Sequence, residues 1–309
     1  MSSIIIAGGN GFLGNALTTY FLSRNQPVVL LNRTSTSFQH PLLTEVIWDG
    51  KTLGAWCTKL ENAKALINLC GKSVDCRYTE KNKKLILESR LGTTALLSEA
   101  ITQCKQPPAV WLNSSSATIY NGSYTAFQTE TSTDIGSDFS MTVCKKWEAV
   151  VNNSKAPARK ILFRTAIVLG NGGGALQPLK RLVRAGLGGK QGNGKQYVSW
   201  IHVLDFCTAV DFLIANAQLE GTFNVCAPQP VSNDTLMSTL RHAMRAPFGI
   251  PLPTPLLTLG ARVIRTEPEL ILKSRKVYPQ RLADNKFVFE FPDLKSALVD
   301  LCQHEKTIK

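Results

Sequence analysis

Continuous apolar runs alternate with amphipathic stretches through the first half of the chain. Ile4-Ile5-Ile6-Ala7 is wholly apolar and β-branched, and from near Phe12 the apolar positions recur at helical spacing. Pro27-Val28-Val29-Leu30-Leu31 predicts a second buried strand. Glu45–Trp48 predicts a third, closed by Asp49, and Ala65–Leu69 a fourth, ending at Cys70-Gly71. Val110–Asn113 predicts a fifth that opens into Ser114-Ser115-Ser116, and Lys160–Arg164 begins a sixth. A long helical pattern from about Thr79 to Cys104 puts Leu85, Ile86, Ser89, Leu96 and Leu97 near one face, and a second covers about Phe139 to Asn153. Strands alternating with helices imply a parallel sheet covered on both faces.

The second half is patterned differently. Glycine-rich loops at 170–174 and 186–189 flank a helix predicted over about Leu176 to Ala185. Prolines 247, 251, 253 and 255 break the chain before a final helical stretch, and Pro279 and Pro292 punctuate the tail. The chain therefore divides into a doubly wound, Rossmann-like α/β region over about 1–170, with contributions from about 200–226, and a smaller α+β substrate lobe over about 171–302.

The junction between the first strand and first helix carries the clearest chemistry. Gly8, Gly11 and Gly14 are spaced G-x-x-G-x-x-G in the turn between them. Such a turn lets Gly8 leave the strand tightly, Gly11 admit a pyrophosphate to the backbone and Gly14 pack the helix on the sheet. The free N–H groups and positive end of the helix then face the phosphates. The second strand ends in Asn32-Arg33-Thr34-Ser35, with no acidic residue to hydrogen-bond adenosine ribose hydroxyls. Uncharged Asn32 and the planar fork of Arg33 suit a 2′-phosphate, so NADP(H) is expected over NAD(H). In doubly wound sheets ligands lie beyond the carboxyl ends of strands. The expected cofactor contacts fall there: Gly8, Asn10, Gly11, Phe12, Leu13 and Gly14; Asn32, Arg33 and Asp49; Leu69, Cys70, Gly71 and Ser114.

A formal net charge of +13 is concentrated at Lys72–Arg90 and Lys180–Lys195 without an aromatic-rich nucleic-acid motif. The expected partners are anionic small molecules, including a phosphorylated or nucleotide-linked substrate, with no specific nucleic acid and no membrane. No segment approaches the ~18 apolar residues of a membrane span, and no basic leader precedes the first apolar run. Eight scattered cysteines contain no C-x-x-C pair, which predicts neither a disulfide framework nor a metal site and a cytoplasmic setting.

Further strings carry a family resemblance. Asn113–Tyr120 is very similar to the serine-rich strand end of nucleotide-sugar epimerases, and Leu91-Gly92-Thr93-Thr94 and Ile201–Asp205 match other landmarks of extended short-chain dehydrogenases/reductases. Ser89-Arg90, Cys144–Glu148, Ser199–His202 and Ser274–Leu282 resemble the YfcH-like epimerase family, whose distinctive C-terminal domain would cover about 246–302. The resemblance implies NADP binding, with Ser116 hydrogen-bonding a substrate hydroxyl or carbonyl, and the superfamily's habit of pairing helices of the cofactor domain implies a possible homodimer.

The superfamily's catalytic Tyr-x-x-x-Lys is missing. The residues four positions after the six tyrosines are Arg24, Asn82, Tyr124, Gln128, Ile201 and Leu282. Aligning on Glu148 puts Ser140 at the tyrosine position and Cys144 at the lysine position. The asparagine that usually follows the sixth-strand arginine by three is Ile167. Substitute catalytic candidates are Ser116 as a carbonyl-polarising hydroxyl, Tyr120 as a phenol near the nicotinamide, and Cys144 as a thiol activated by Lys145. Tyr197, Trp200 and His202 are candidates for the substrate pocket, although each also suits a packed core. Three function classes stay open: an NADP(H)-dependent oxidoreductase or epimerase-like enzyme with an atypical proton donor, an NADP(H)-binding sensor without chemistry, and a nucleic-acid binder resting on charge alone.

Overall fold

The computed structural model describes residues 2–36, 38–257 and 273–303. Seven strands form one parallel sheet. They are β1 (Ile4–Ala7), β2 (Val28–Asn32), β3 (Leu43–Ile47), β4 (Ala65–Asn68), β5 (Val110–Ser116), β6 (Arg159–Thr165) and β11 (Gly221–Val225), in the order β11-β6-β5-β4-β1-β2-β3. Order reverses beside β1, the switch point at which doubly wound sheets open a ligand crevice.

Alternation along β1 divides the core. Ile4 and Ile6 pack on α1 (Phe12–Ser23) and α5 (Val203–Ala215), whereas Ile5 and Ala7 face α2 (Glu80–Gln103) and α3 (Phe139–Asn152). A strand buried on both faces reads as an unbroken apolar run, which is why β1 and β2 stand out in the sequence. Thr79 caps α2 by accepting from Asn82 N at 3.3 Å. Within α2, Ile86 and Leu97 are wholly buried, but Leu85 is 41% exposed and departs from the predicted face.

Smaller elements build a second core: β7 (Ile167–Gly170), β8 (Gly173–Gly174), β9 (Tyr197–Val198), β10 (Trp200–His202) and β12 (Val231–Ser232), with α4 (Leu176–Arg184), α6 (Asn233–Ala243) and α8 (Leu294–Gln303). Leu169, Leu176, Trp200, Leu240 and Leu298 meet there. A short α7 (Gln280–Asp284) lies against β11. The helical stretch expected after the prolines, and with it 258–272 of the predicted C-terminal segment, lies outside the described residues.

Strand β5 runs through the serines, because Ser114, Ser115 and Ser116 stay in register with Phe163, Arg164 and Thr165 of β6. The third strand starts at Leu43 and ends before Trp48, whose buried indole meets Trp56 edge-on.

Candidate functional site

The glycine turn is built for close approach. Gly8 has φ +86°, and a Cβ there would lie 3.1 Å from the backbone of Leu69 and Cys70. A Cβ on Gly14 would be 2.5 Å from Gly9 O, so helix and loop can meet only without it. Gly11 differs: a Cβ there would meet only Gly8 O, at 3.9 Å. As N-cap of α1 it offers no side chain, and the first turn holds no acidic residue. The N–H groups at this end are therefore left for an anion. Asn10 ties the turn to the exit of β2, donating to Thr34 O at 3.0 Å and Thr34 Oγ1 at 3.1 Å.

Asn32 is 3% exposed, and both polar atoms of its side chain lack a hydrogen-bond partner. Leaving them so costs about 1–3 kcal/mol each. Arg33, next along, is exposed. Asp49 spends its carboxylate on its own turn, accepting from Lys51 N, Thr52 N and Thr52 Oγ1, and these bonds hold it down to about 2.

Beyond the carboxyl ends of β4 and β5 opens a cavity of about 240 Å³. One wall is Leu13, Leu69, Cys70 and Gly71; another is Ser114 and Ser116; the third is Tyr78, Arg90, Phe139, Ser140, Cys144 and Trp147. The structure thus brings Ser116 together with Ser140 and Cys144, the residues aligned to the missing dyad. Ser116 Oγ donates to Thr118 Oγ1 at 2.9 Å and accepts from Thr118 N at 3.2 Å. Burial pushes the Cys144 thiol up to about 12, and the Glu148 carboxylate adds to the rise. Arg90, Arg275 and Arg164 pull it down without offsetting burial, and Lys145, which is exposed, is not among its main influences. The expectation of a lysine-activated thiol is therefore corrected: Cys144 is a neutral, packed thiol. Burial likewise pushes Cys70 up to about 12.

A buried polar layer supports these walls. Asn68 donates to Asn113 Oδ1 at 2.7 Å and to Thr94 Oγ1 at 3.0 Å, and Trp147 Nε1 donates to Thr94 Oγ1 at 2.8 Å. Below the serines, Arg164 meets Glu148 through two bonds of 2.8 and 2.7 Å, and Ser115 Oγ donates to the same carboxylate at 2.6 Å. Burial works against the Arg164 charge, yet Glu148 more than offsets it and raises the pKa above the ordinary guanidinium value.

Tyr120 belongs to this layer and not to the cavity, which corrects its expected role. It is wholly buried, accepts from Arg164 Nη1 at 2.8 Å and donates to Asn224 Oδ1 at 2.8 Å. Burial raises its pKa over the opposing pull of Arg164 and Asn224, so it is a fixed neutral phenol. The three substrate-pocket candidates are also displaced from the cavity. Trp200 is wholly buried in the second core, with Nε1 donating to Gln229 O at 2.9 Å. Tyr197 sits on β9 beneath the Lys276 ammonium, 4.8 Å from its ring centroid. His202 caps α5: Nδ1 accepts from Leu204 N at 3.1 Å, leaving Nε2 to meet Asp300 at 3.2 Å. Burial lowers its pKa and overrides the opposing pull of Asp300. An apolar strand period cannot distinguish a pocket aromatic from a core aromatic, so these three were not separable in the sequence.

Arg90 and Trp147 line the cavity without having been assigned a site role from the sequence, as do Tyr78 and Phe139. The available signal was a polar face on the long helix, where Ser89, Arg90, Thr93 and Thr94 interrupt the apolar pattern.

The NAD dependent epimerase/dehydratase family matches residues 4–226, and a domain of unknown function (DUF1731) matches residues 252–301. The epimerase family protein SDR39U1 of Homo sapiens is 32% identical over 301 residues, covering 96% of this chain and 99% of that protein. The crystal structure of human SDR39U1 (isoform 2) with NADPH superposes with a TM-score of 0.83 at 29% identity, covering 97% of this chain and 99% of the other. A nucleoside-diphosphate sugar epimerase from Corynebacterium glutamicum superposes with a TM-score of 0.78 at 28% identity, covering 98% of this chain and 58% of that one.

Proposed function

Because the chain belongs to the NAD dependent epimerase/dehydratase family, we propose that it is an NADP(H)-dependent oxidoreductase of the extended short-chain type, acting on a small carbonyl compound without a Tyr-x-x-x-Lys pair. One observation carries this reading: the wall formed by Leu13 and Leu69–Gly71, the wall bearing Ser116 and the wall bearing Ser140 and Cys144 close on the same cavity. The residues present fit the cofactor. The uncapped start of α1 would hold the diphosphate, the unpartnered Asn32 amide would meet the adenosine ribose region, and Arg33 would meet a 2′-phosphate. NADPH in the related human structure supports the same assignment.

When bound, the reduced nicotinamide supplies a hydride. The chain's own part is to hold and polarise the carbonyl oxygen, while water supplies the proton that the developing alkoxide takes up. Ser116 can turn its hydroxyl from Thr118 Oγ1 to that oxygen while still accepting from Thr118 N, and that retained bond polarises the O–H as a donor. Cys144 keeps its proton and fills space beside it. Sugar-nucleotide epimerisation in its usual form is disfavoured, because Ile167 offers no hydrogen bond where the diphosphate is usually met.

The test is NADPH oxidation across a panel of aldehydes, ketones and oxo acids. Ser116→Ala should lower kcat about 10²-fold, as loss of a positioned hydrogen-bond donor to the developing oxyanion does, with NADPH affinity unchanged. A chain that binds NADPH tightly yet oxidises it with no member of the panel would favour a sensor instead.

A further inference from the structure

The cavity contains a cation with no anion to balance it. Arg90 stands on α2 in the third wall, and its Nη1 donates to Lys72 O at 3.0 Å and Ile86 O at 3.1 Å. Its Nε and Nη2 have no hydrogen-bond partner among the described residues, and no Asp or Glu lines the cavity. The guanidinium lies 5.2 Å from the Trp147 ring centroid and so close to Gly71 that a Cβ there would be 2.9 Å from Arg90 Cζ. Burial pushes its pKa below the ordinary guanidinium value. Arg90 is half-buried; an unmatched charge held there is costly, and elsewhere in this chain the buried arginine Arg164 has its carboxylate.

The Nε–Nη2 edge that remains is the fork that meets a carboxylate through two parallel bonds. We propose that Arg90 is the specificity-determining residue of the cavity, and that its ligand is the carboxylate of a small carbonyl substrate whose apolar body packs on Tyr78, Phe139 and Trp147. The substrate class rests on the oxidoreductase reading above; the carboxylate site itself rests on Arg90. A cavity of about 240 Å³ is below the usual range for larger ligands, which suits a small acid better than a nucleoside diphosphate sugar. The cofactor's phosphates have other donors, at the start of α1 and at Arg33, which does not line this cavity.

The experiment is calorimetric titration of the full chain, alone and saturated with NADP+, with benzoate, phenylpyruvate and 2-oxobutanoate, and with the uncharged methyl ester of phenylpyruvate. NADPH is titrated separately into each variant. At least one acid should bind, with the phenylpyruvate ester at least tenfold weaker than its acid. Arg90→Gln and Arg90→Lys should each weaken the acid about 10-fold or more and leave NADPH affinity and thermal midpoint unchanged. Lysine keeps the charge but not the two-donor edge. Gly71→Ala, which keeps the arginine and displaces its guanidinium, should weaken the acid in the same sense and stands in if the Arg90 variants do not fold. Binding of none of the acids, equal binding of acid and ester, or loss of NADPH affinity in Arg90→Gln without loss of acid affinity would each overturn the proposal. If NADPH itself fails to bind, the oxidoreductase reading falls, and acid titration of the chain alone still decides the role of Arg90.

Discussion

Replacing Glu148 by Ala should destabilise the chain far more than an ordinary surface change, because it strands a buried charge. Glu148 and Arg164 are each only 8% exposed at the side chain. The alanine leaves Arg164 Nε and Nη2 without acceptors and Ser115 Oγ without its 2.6 Å partner. Removing one member of a buried pair costs about 3–5 kcal/mol, a large share of a total stability of about 5–15 kcal/mol. Replacing both members together, as Glu148→Met with Arg164→Met, removes the stranded charge. Tyr120 then keeps Asn224 as acceptor, and the main residue of the loss is the orphaned Ser115 hydroxyl, about 1–3 kcal/mol. The double variant should therefore be more stable than Glu148→Ala. Equilibrium urea unfolding of the wild type, both singles and the double measures this directly. A Glu148→Ala protein within about 1 kcal/mol of wild type, well below the expected penalty, would refute the reasoning, and so would a double variant as unstable as the sum of the singles.

The glycine turn predicts two separable effects. Gly11→Ala should keep the thermal midpoint of the wild type, since its Cβ meets nothing closer than 3.9 Å, yet weaken NADPH at least about tenfold by standing where the diphosphate comes in. Gly14→Ala should lower the midpoint itself, because its Cβ falls 2.5 Å from Gly9 O and backbone cannot give way there; a normal midpoint would contradict the packing. His202 predicts a pH dependence. Its pKa is lowered in the folded chain by burial, so the unfolded chain binds more protons and stability falls as pH drops below about 6.5 toward the folded value. In that window the loss is up to about 1.4 kcal/mol per pH unit. His202→Asn, which keeps a helix-capping side chain, should flatten the midpoint between pH 7 and pH 5, and an unchanged slope would assign the acid sensitivity elsewhere.

Much of the sheet was legible because its strands are buried on both sides. Ile4–Ala7, Val28–Leu31 and Ala65–Asn68 have no polar alternation to misread, and the glycine turn fixes their polarity. Strand β11 was not, because Gly221-Thr222-Phe223-Asn224-Val225 is short and half polar, and only pairing with β6 makes it a strand. The cofactor turn was legible from spacing. The chemistry was less so. Ser140 and Cys144 reach the cavity because alignment on Glu148 tracks the face of α3 correctly, whereas Tyr120 looked catalytic and His202 looked like a pocket residue by residue type alone. Their hydroxyl and imidazole are taken by Arg164, Asn224, Leu204 and Asp300, partners brought in by other elements and invisible along the chain. Arg90 escaped notice for the converse reason: its importance lies in a carboxylate that is not there.

The central claim is that this fold holds NADP(H) through the glycine turn and Arg33. Calorimetric titration with NADPH and NADH, on the wild type and on Arg33→Ala, tests it most directly. The account predicts NADPH at least about tenfold tighter than NADH, as a charge-assisted contact to the 2′-phosphate requires, with the preference lost in Arg33→Ala. Equal affinity for the two nucleotides in the wild type, or no binding of either, would contradict it.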